Sequence, residues 1–148
     1  MKIYLSGKMT GLKPRQIKKN FKRAEEKILM TLGDASIMNP AVTYHMSSIK
    51  EFSYLDWLKI DFAMIDACDA VFLLPNWVDS EGAKKEIVYA FSHNKKVFYP
   101  SFNGLVYKEC DEFTKDIVLK ETKKSLKKIA DDKEDQLLEE TARKILGF

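Results

Sequence analysis

The apolar run Ala70-Val71-Phe72-Leu73-Leu74 gives way at Pro75-Asn76 to a turn, and from Ser80 onward the chain takes the spacing of an amphipathic helix. A buried strand that feeds directly into a helix is the building unit of parallel sheets, because parallel neighbours need a crossover between them. The unit recurs. Lys2–Ser6 reads as a strand, the turn Gly7-Lys8-Met9-Thr10-Gly11 follows, and Pro14 opens a helix carrying Ile17, Phe21, Ala24, Ile28 and Leu32 on one stripe up to Gly33. Ala35–Met38 reads as a second strand closed by Asn39-Pro40, and Ala41–Phe52 as a long loop. Tyr54–Cys68 returns to helical spacing through Leu55, Leu58, Ala63, Ile65 and Ala67. After Ala70–Leu74, Ser80–His93 predicts a helix with Ala83, Ile87, Ala90 and Phe91 buried, and Lys96–Tyr99 a fourth strand stopped by Pro100. Alternating strands and helices predict an α/β fold with right-handed crossovers.

No fifth strand is legible after Pro100. Phe113 to Phe148 reads as two charged helical patterns split near Asp131-Asp132, with Ile117, Leu126, Ile129, Leu137, Leu138 and Ile145 as apolar points. The expectation is an α/β unit over residues 1–110 and an appended helical segment over 111–148, covering the core or joining a partner subunit.

With 148 residues, 45% of them hydrophobic and 32% charged, the chain fits one soluble domain. No apolar stretch approaches the ~20 residues of a membrane span, and the first residues are too short for a secretory leader, so a cytoplasmic protein without membrane attachment is expected. Cys68 and Cys110 lack metal-ligand spacing and read as plain thiols. The net charge of +3 is spread along helix faces, which argues against a nucleic-acid footprint and mildly favours a small anionic ligand.

Open α/β sheets bind ligands at the carboxyl ends of their strands. That rule gathers the Gly7–Gly11 turn, Asp61 and the Ser80–Glu86 segment on one edge. Ser80 or Asp79 can cap the helix, Gly82 and Ala83 leave room for a ligand, and Glu86 is a candidate nucleophile or base. Taken singly, Asp61 reads as an ordinary helix-surface carboxylate and Tyr4 as a core residue. Trp77, Met9, Phe62 and Tyr44 could stack on a base but read equally well as core, and His45 and His93 as surface residues.

Three segments together resemble the nucleoside 2-deoxyribosyltransferase-like superfamily, nearest to its nucleoside 5'-monophosphate N-glycosidases. These are Ile3-Tyr4-Leu5-Ser6-Gly7-Lys8-Met9-Thr10-Gly11, Asp61 with Asp69 eight residues on, and Ser80-Glu81-Gly82-Ala83-Lys84-Lys85-Glu86. The match runs over roughly Met1 to Pro100. The resemblance implies a flavodoxin-like, Rossmann-like sheet and hydrolysis of the N-glycosidic bond of a nucleotide, a pyrimidine such as CMP or 5-hydroxymethyl-CMP being slightly favoured. It implies Glu86 as the nucleophile, Asp61 acting on the leaving base or sugar hydroxyls, and Tyr4 holding Glu86. The substrate would lie along Gly7, Lys8, Met9, Thr10, Gly11, Ser80 and Gly82, in a homodimer that needs no metal or organic cofactor. Ser80 stands where the nucleoside transferases carry an aspartate, and a hydroxyl at a helix start suits a 5'-phosphate that a carboxylate would repel. Thr10 stands where the deoxynucleotide hydrolases often carry arginine, which leaves Lys8, Lys84 or another chain as the basic contact. A base-exchanging transferase and a non-catalytic nucleotide sensor are the alternative functions.

Overall fold

The computed structural model describes residues 1–45, 52–101 and 107–130. Its five strands are β1 (Lys2–Ser6), β2 (Ser36–Met38), β3 (Ala70–Leu73), β4 (Lys96–Pro100) and β5 (Tyr107–Glu109), ordered β2-β1-β3-β4-β5. The first four run parallel and β5 pairs antiparallel with β4, Tyr99 facing Lys108. Helices α1 (Pro14–Leu32), α2 (Tyr54–Ala67), α3 (Glu81–Ser92) and α4 (Glu112–Ala130) supply the other layers. This is the α/β architecture expected, with the strand order of flavodoxin-like sheets.

Alternation along the strands divides the core in two. Tyr4, Val71, Leu73 and Val97 face α2 and α3, where they meet Leu58, Phe62, Ile65, Ile87 and Val88. Ile3, Leu5, Ala70, Phe72 and Leu74 face α1 and meet Ile17, Phe21, Ala24 and Ile28. Both faces of β1 and β3 are therefore buried, which is why these strands read as unbroken apolar runs. Each large side chain so buried contributes about 1.5–3 kcal/mol of transfer free energy.

Several expectations are corrected. β5 exists, but it is three residues long with the sequence Tyr-Lys-Glu, and an antiparallel edge strand of that length carries no apolar pattern to read. Part of the expected loop at Ala41–Phe52 is a 3-10 helix, Pro40–His45, while 46–51 lie outside the described residues. Leu32, the last residue of α1, is 42% exposed, and the buried stripe of α2 is Leu58, Phe62 and Ile65, with Ala63 and Ala67 exposed. α4 packs on α3 and buries Val118 rather than Ile117. The tail's second helical pattern, 131–148, falls outside the described residues.

Both cysteines are free thiols, Cys68 buried and Cys110 half-buried. Among the described residues no helix is long and apolar enough to cross a membrane.

Candidate active site

β1 passes between β2 and β3, so the chain leaves its two central strands in opposite directions across the sheet and opens a crevice at their carboxyl ends. Tyr4 and Ser6 alternate onto the α2–α3 side of β1, and both are fully buried. Facing them is Glu86, one and a half turns into α3 and only 7% exposed. The Tyr4 hydroxyl donates to Glu86 Oε1 at 3.1 Å and the Ser6 hydroxyl to Oε2 at 2.5 Å. Each carboxylate oxygen thus has its own donor, which fixes the plane of the group.

Asp61 joins them from α2. Leu58 and Ile65, three and four residues to either side, are buried in the core, so helical geometry carries Asp61 onto the inward face instead of the solvent. It comes within hydrogen-bonding reach of both Tyr4 and Glu86 and stays half-buried, the most accessible of the three.

The electrostatics follow from burial. Loss of water is the main cause that pushes the Glu86 carboxyl well above the carboxylate range, with the Asp61 charge adding to it, while the Ser6 and Tyr4 hydrogen bonds oppose both. Burial likewise raises Asp61 to about 6, partly offset by its contacts with Tyr4 and Glu86. Tyr4 is held well above its ordinary value by burial and by the two acids, so it remains a donor at neutral pH. Two desolvated carboxyls in contact hold one proton between them over an intermediate pH range. In that state the site contains one carboxylate and one carboxylic acid.

The other residues singled out from the sequence divide. Gly7 packs directly on Leu74, and the Lys8 amide donates to Asn76 Oδ1 at 3.1 Å, joining the turn after β1 to the loop after β3. Met9 packs against the α1-side core, whereas Thr10 and Gly11 are exposed, Gly11 at φ +82°. Ser80, not Asp79, caps α3, its oxygen accepting the Ala83 amide at 3.1 Å; Asp79 ends a short 3-10 helix, Trp77–Asp79. Gly82 is half-buried in the first turn of α3, and Lys84 pairs with Glu81 at 3.5 Å.

Asp69 is not at this edge. Its carboxylate accepts the Lys2 amide at 2.8 Å at the opposite end of the sheet, tying β1 to β3 where both begin. Phe62 is core, stacked on Tyr89 with centroids 4.0 Å apart, and Trp77 packs partly buried on the same cluster. His93 is exposed; the side chains of Tyr44 and His45 lie outside the described residues.

Sequence reasoning missed Ser6, although a serine two residues after Tyr4 in an otherwise apolar strand must share its face. Asn76 offered no such pattern, since its role depends on where the neighbouring turn lands. Among the described residues no group of three His, Cys, Asp or Glu gathers as a metal ligand set.

Fold and site together define an open-sheet α/β protein with a buried, hydroxyl-clamped carboxyl pair at the point where the strand order reverses. Residues 1–99 match the family described as "Domain of unknown function (DUF4406)", and the chain belongs to that family. No curated protein and no solved structure matches it.

Proposed function

We propose that the protein hydrolyses the N-glycosidic bond of a nucleoside 5'-monophosphate, a pyrimidine nucleotide being slightly favoured, and that it is nearest to the nucleoside 5'-monophosphate N-glycosidases of the nucleoside 2-deoxyribosyltransferase-like superfamily. The observation that carries the proposal is the Glu86–Asp61 pair, a nucleophile and an acid in contact at the ligand-binding edge of the sheet. Glu86, as carboxylate, attacks the anomeric carbon as the C–N bond breaks, and Asp61 gives its proton to the departing base. Asp61, now ionised, takes a proton from water, which cleaves the glycosyl ester and frees Glu86. Tyr4 and Ser6 aim the carboxylate throughout. The Ser80 oxygen is occupied by its cap, but its hydroxyl proton and the amides of Glu81 and Gly82 suit the 5'-phosphate.

The test is free-base release from a panel of ribo- and deoxynucleoside 5'-monophosphates beside the matching nucleosides, followed by chromatography with and without a second base. Release from a monophosphate alone supports the hydrolase. Base exchange on nucleosides would replace it with the transferase, and tight binding without release with the sensor.

A pH profile tests the pair itself. Activity should rise with pH near 6 as the pair, and not either acid alone, loses its first proton, and fall again once the second is lost, the productive form being the one that keeps the remaining proton on Asp61. Each limb should approach tenfold per pH unit. A rate flat from pH 5 to 8 would rule out the shared-proton arrangement.

A further inference from the structure

Burial and hydrogen bonding pull the proton shared by Glu86 and Asp61 in opposite directions. Glu86 is the more enclosed of the two acids, 7% exposed beside a half-buried Asp61. Loss of water therefore acts harder on Glu86 and draws the proton onto it, the wrong way round for a Glu86 nucleophile and an Asp61 acid. The productive form needs a donor that favours one ionised carboxyl over the other.

The two hydroxyls differ in this respect. Tyr4 reaches both Glu86 and Asp61, so it favours whichever of them is ionised. Ser6 has one proton to give, and it goes to Glu86 Oε2 at 2.5 Å. The serine is fully buried on β1, which closes that proton to bulk water. A hydrogen bond to a carboxylate is roughly twice as strong as one between neutral groups, so this bond has its full strength only while Glu86 is ionised. Among the described residues, Tyr4 on β1 and Asp61 on α2 are the titratable groups that bear on Glu86. Other charged groups packed against α3 meet it elsewhere, Lys115 of α4 over the Phe91 ring and Asp66 of α2 at the Tyr89 hydroxyl, and Asp79 precedes its cap. The strands turn apolar Val71, Leu73 and Val97 toward the helix.

We infer that Ser6 is a positioning residue for the shared proton: committed to Glu86 alone, its hydroxyl favours the form in which Glu86 is the carboxylate and Asp61 the acid. The inference rests on the proposed glycosidase for its catalytic meaning and acts entirely through Glu86. Because burial makes the productive form the minor one, any further loss of that form passes in full to the rate.

Ser6→Ala tests this in the full chain, on the nucleoside 5'-monophosphate from which most base is released. Its kcat should fall by about 10-fold or more with KM unchanged, the factor by which a hydrogen bond to a charged group shifts a proton equilibrium. The alkaline limb of the pH profile should move up by about one unit while the acid limb stays, because ionising Glu86 chiefly governs the pair's second proton loss. A readout without turnover is a carbon NMR titration of the side-chain carboxyls, with the two signals assigned by Glu86→Gln and Asp61→Asn. In Ser6→Ala the Glu86 midpoint should rise by about one pH unit or more and that of Asp61 by less. Ser6→Cys, whose thiol is a weak donor, should fall between serine and alanine in both readouts. A Glu86 midpoint that stays in place, an equal rise of both carboxyls, or a loss of kcat with both limbs unmoved would overturn the inference and leave Ser6 a packing residue. No base release by the unsubstituted chain would end the glycosidase reading and the catalytic role of Ser6 with it, while the carboxyl titration decides the placing of the proton independently.

Discussion

Glu86→Gln should abolish base release and stabilise the folded chain at neutral pH. Loss of a nucleophile that no neighbour can replace is expected to lower the rate by ~10⁴-fold or more. The stability effect has the opposite sign because Glu86 is an acid that burial holds well above its ordinary range. A carboxyl raised by folding binds its proton more tightly in the native state than in the unfolded chain. Its contribution is whole below the ordinary carboxylate range and is lost as pH rises through the folded value. For Asp61, raised from 3.8 to about 6, that loss approaches about 3 kcal/mol at neutral pH, and Glu86 is shifted in the same direction. Glutamine keeps the shape, accepts from Tyr4 and can donate to Ser6, so the charge penalty disappears with little packing change. The melting temperature should rise by several degrees at pH 8, at about 2–4 °C per kcal/mol for this size, and stay unchanged near pH 4. Release that survives the substitution would remove Glu86 from the chemistry. Destabilisation equal at both pH values would mean that shape, and not charge, governs the site.

This opposition between activity and stability is expected where acids are buried for use. It also explains which parts of the molecule could be read from the chain. Parallel strands buried on both faces show as apolar runs, and helices on them as stripes, so β1, β3, α1 and α3 stood out in one dimension. The convergence of Tyr4, Ser6, Asp61 and Glu86 is three-dimensional. It required the order of strands, which places β3 beside β1, and the rotation of α2, which turns Asp61 inward between Leu58 and Ile65. Asp69 shows the converse, because an aspartate at a helix–strand junction looks the same in sequence whether it serves a ligand or, as here, the Lys2 amide. The edge strand β5 was illegible because Tyr-Lys-Glu has neither alternation nor burial to declare itself.

Gly7→Ala should be the most damaging glycine-to-alanine change among the described residues. A Cβ on Gly7 would lie 2.7 Å from Leu74 Cβ, 2.9 Å from Leu74 Cδ2 and 3.1 Å from Asn76 Oδ1. Leu74 is 1% exposed and cannot swing away, and its Cβ moves only with its backbone, so relief requires the ends of β1 and β3 to part. That displacement strains the Lys8–Asn76 bond and shifts Ser6, one residue away, from Glu86. Overpacking of this kind costs about 1–3 kcal/mol, and a clash with backbone-anchored atoms places it at the upper end, a fall of roughly 4–12 °C in melting temperature. Leu74→Ala should not rescue it, because alanine keeps the offending Cβ; a double-mutant cycle showing full rescue would assign the clash to the removable Cδ2 instead. Gly82→Ala is the internal contrast. There the added Cβ meets Tyr54 Oη at 3.6 Å, an ordinary contact, and a helical position gains up to about 1 kcal/mol from alanine. Thermal denaturation of the two variants side by side therefore separates a glycine required by the meeting of two strands from one that a helix start merely tolerates.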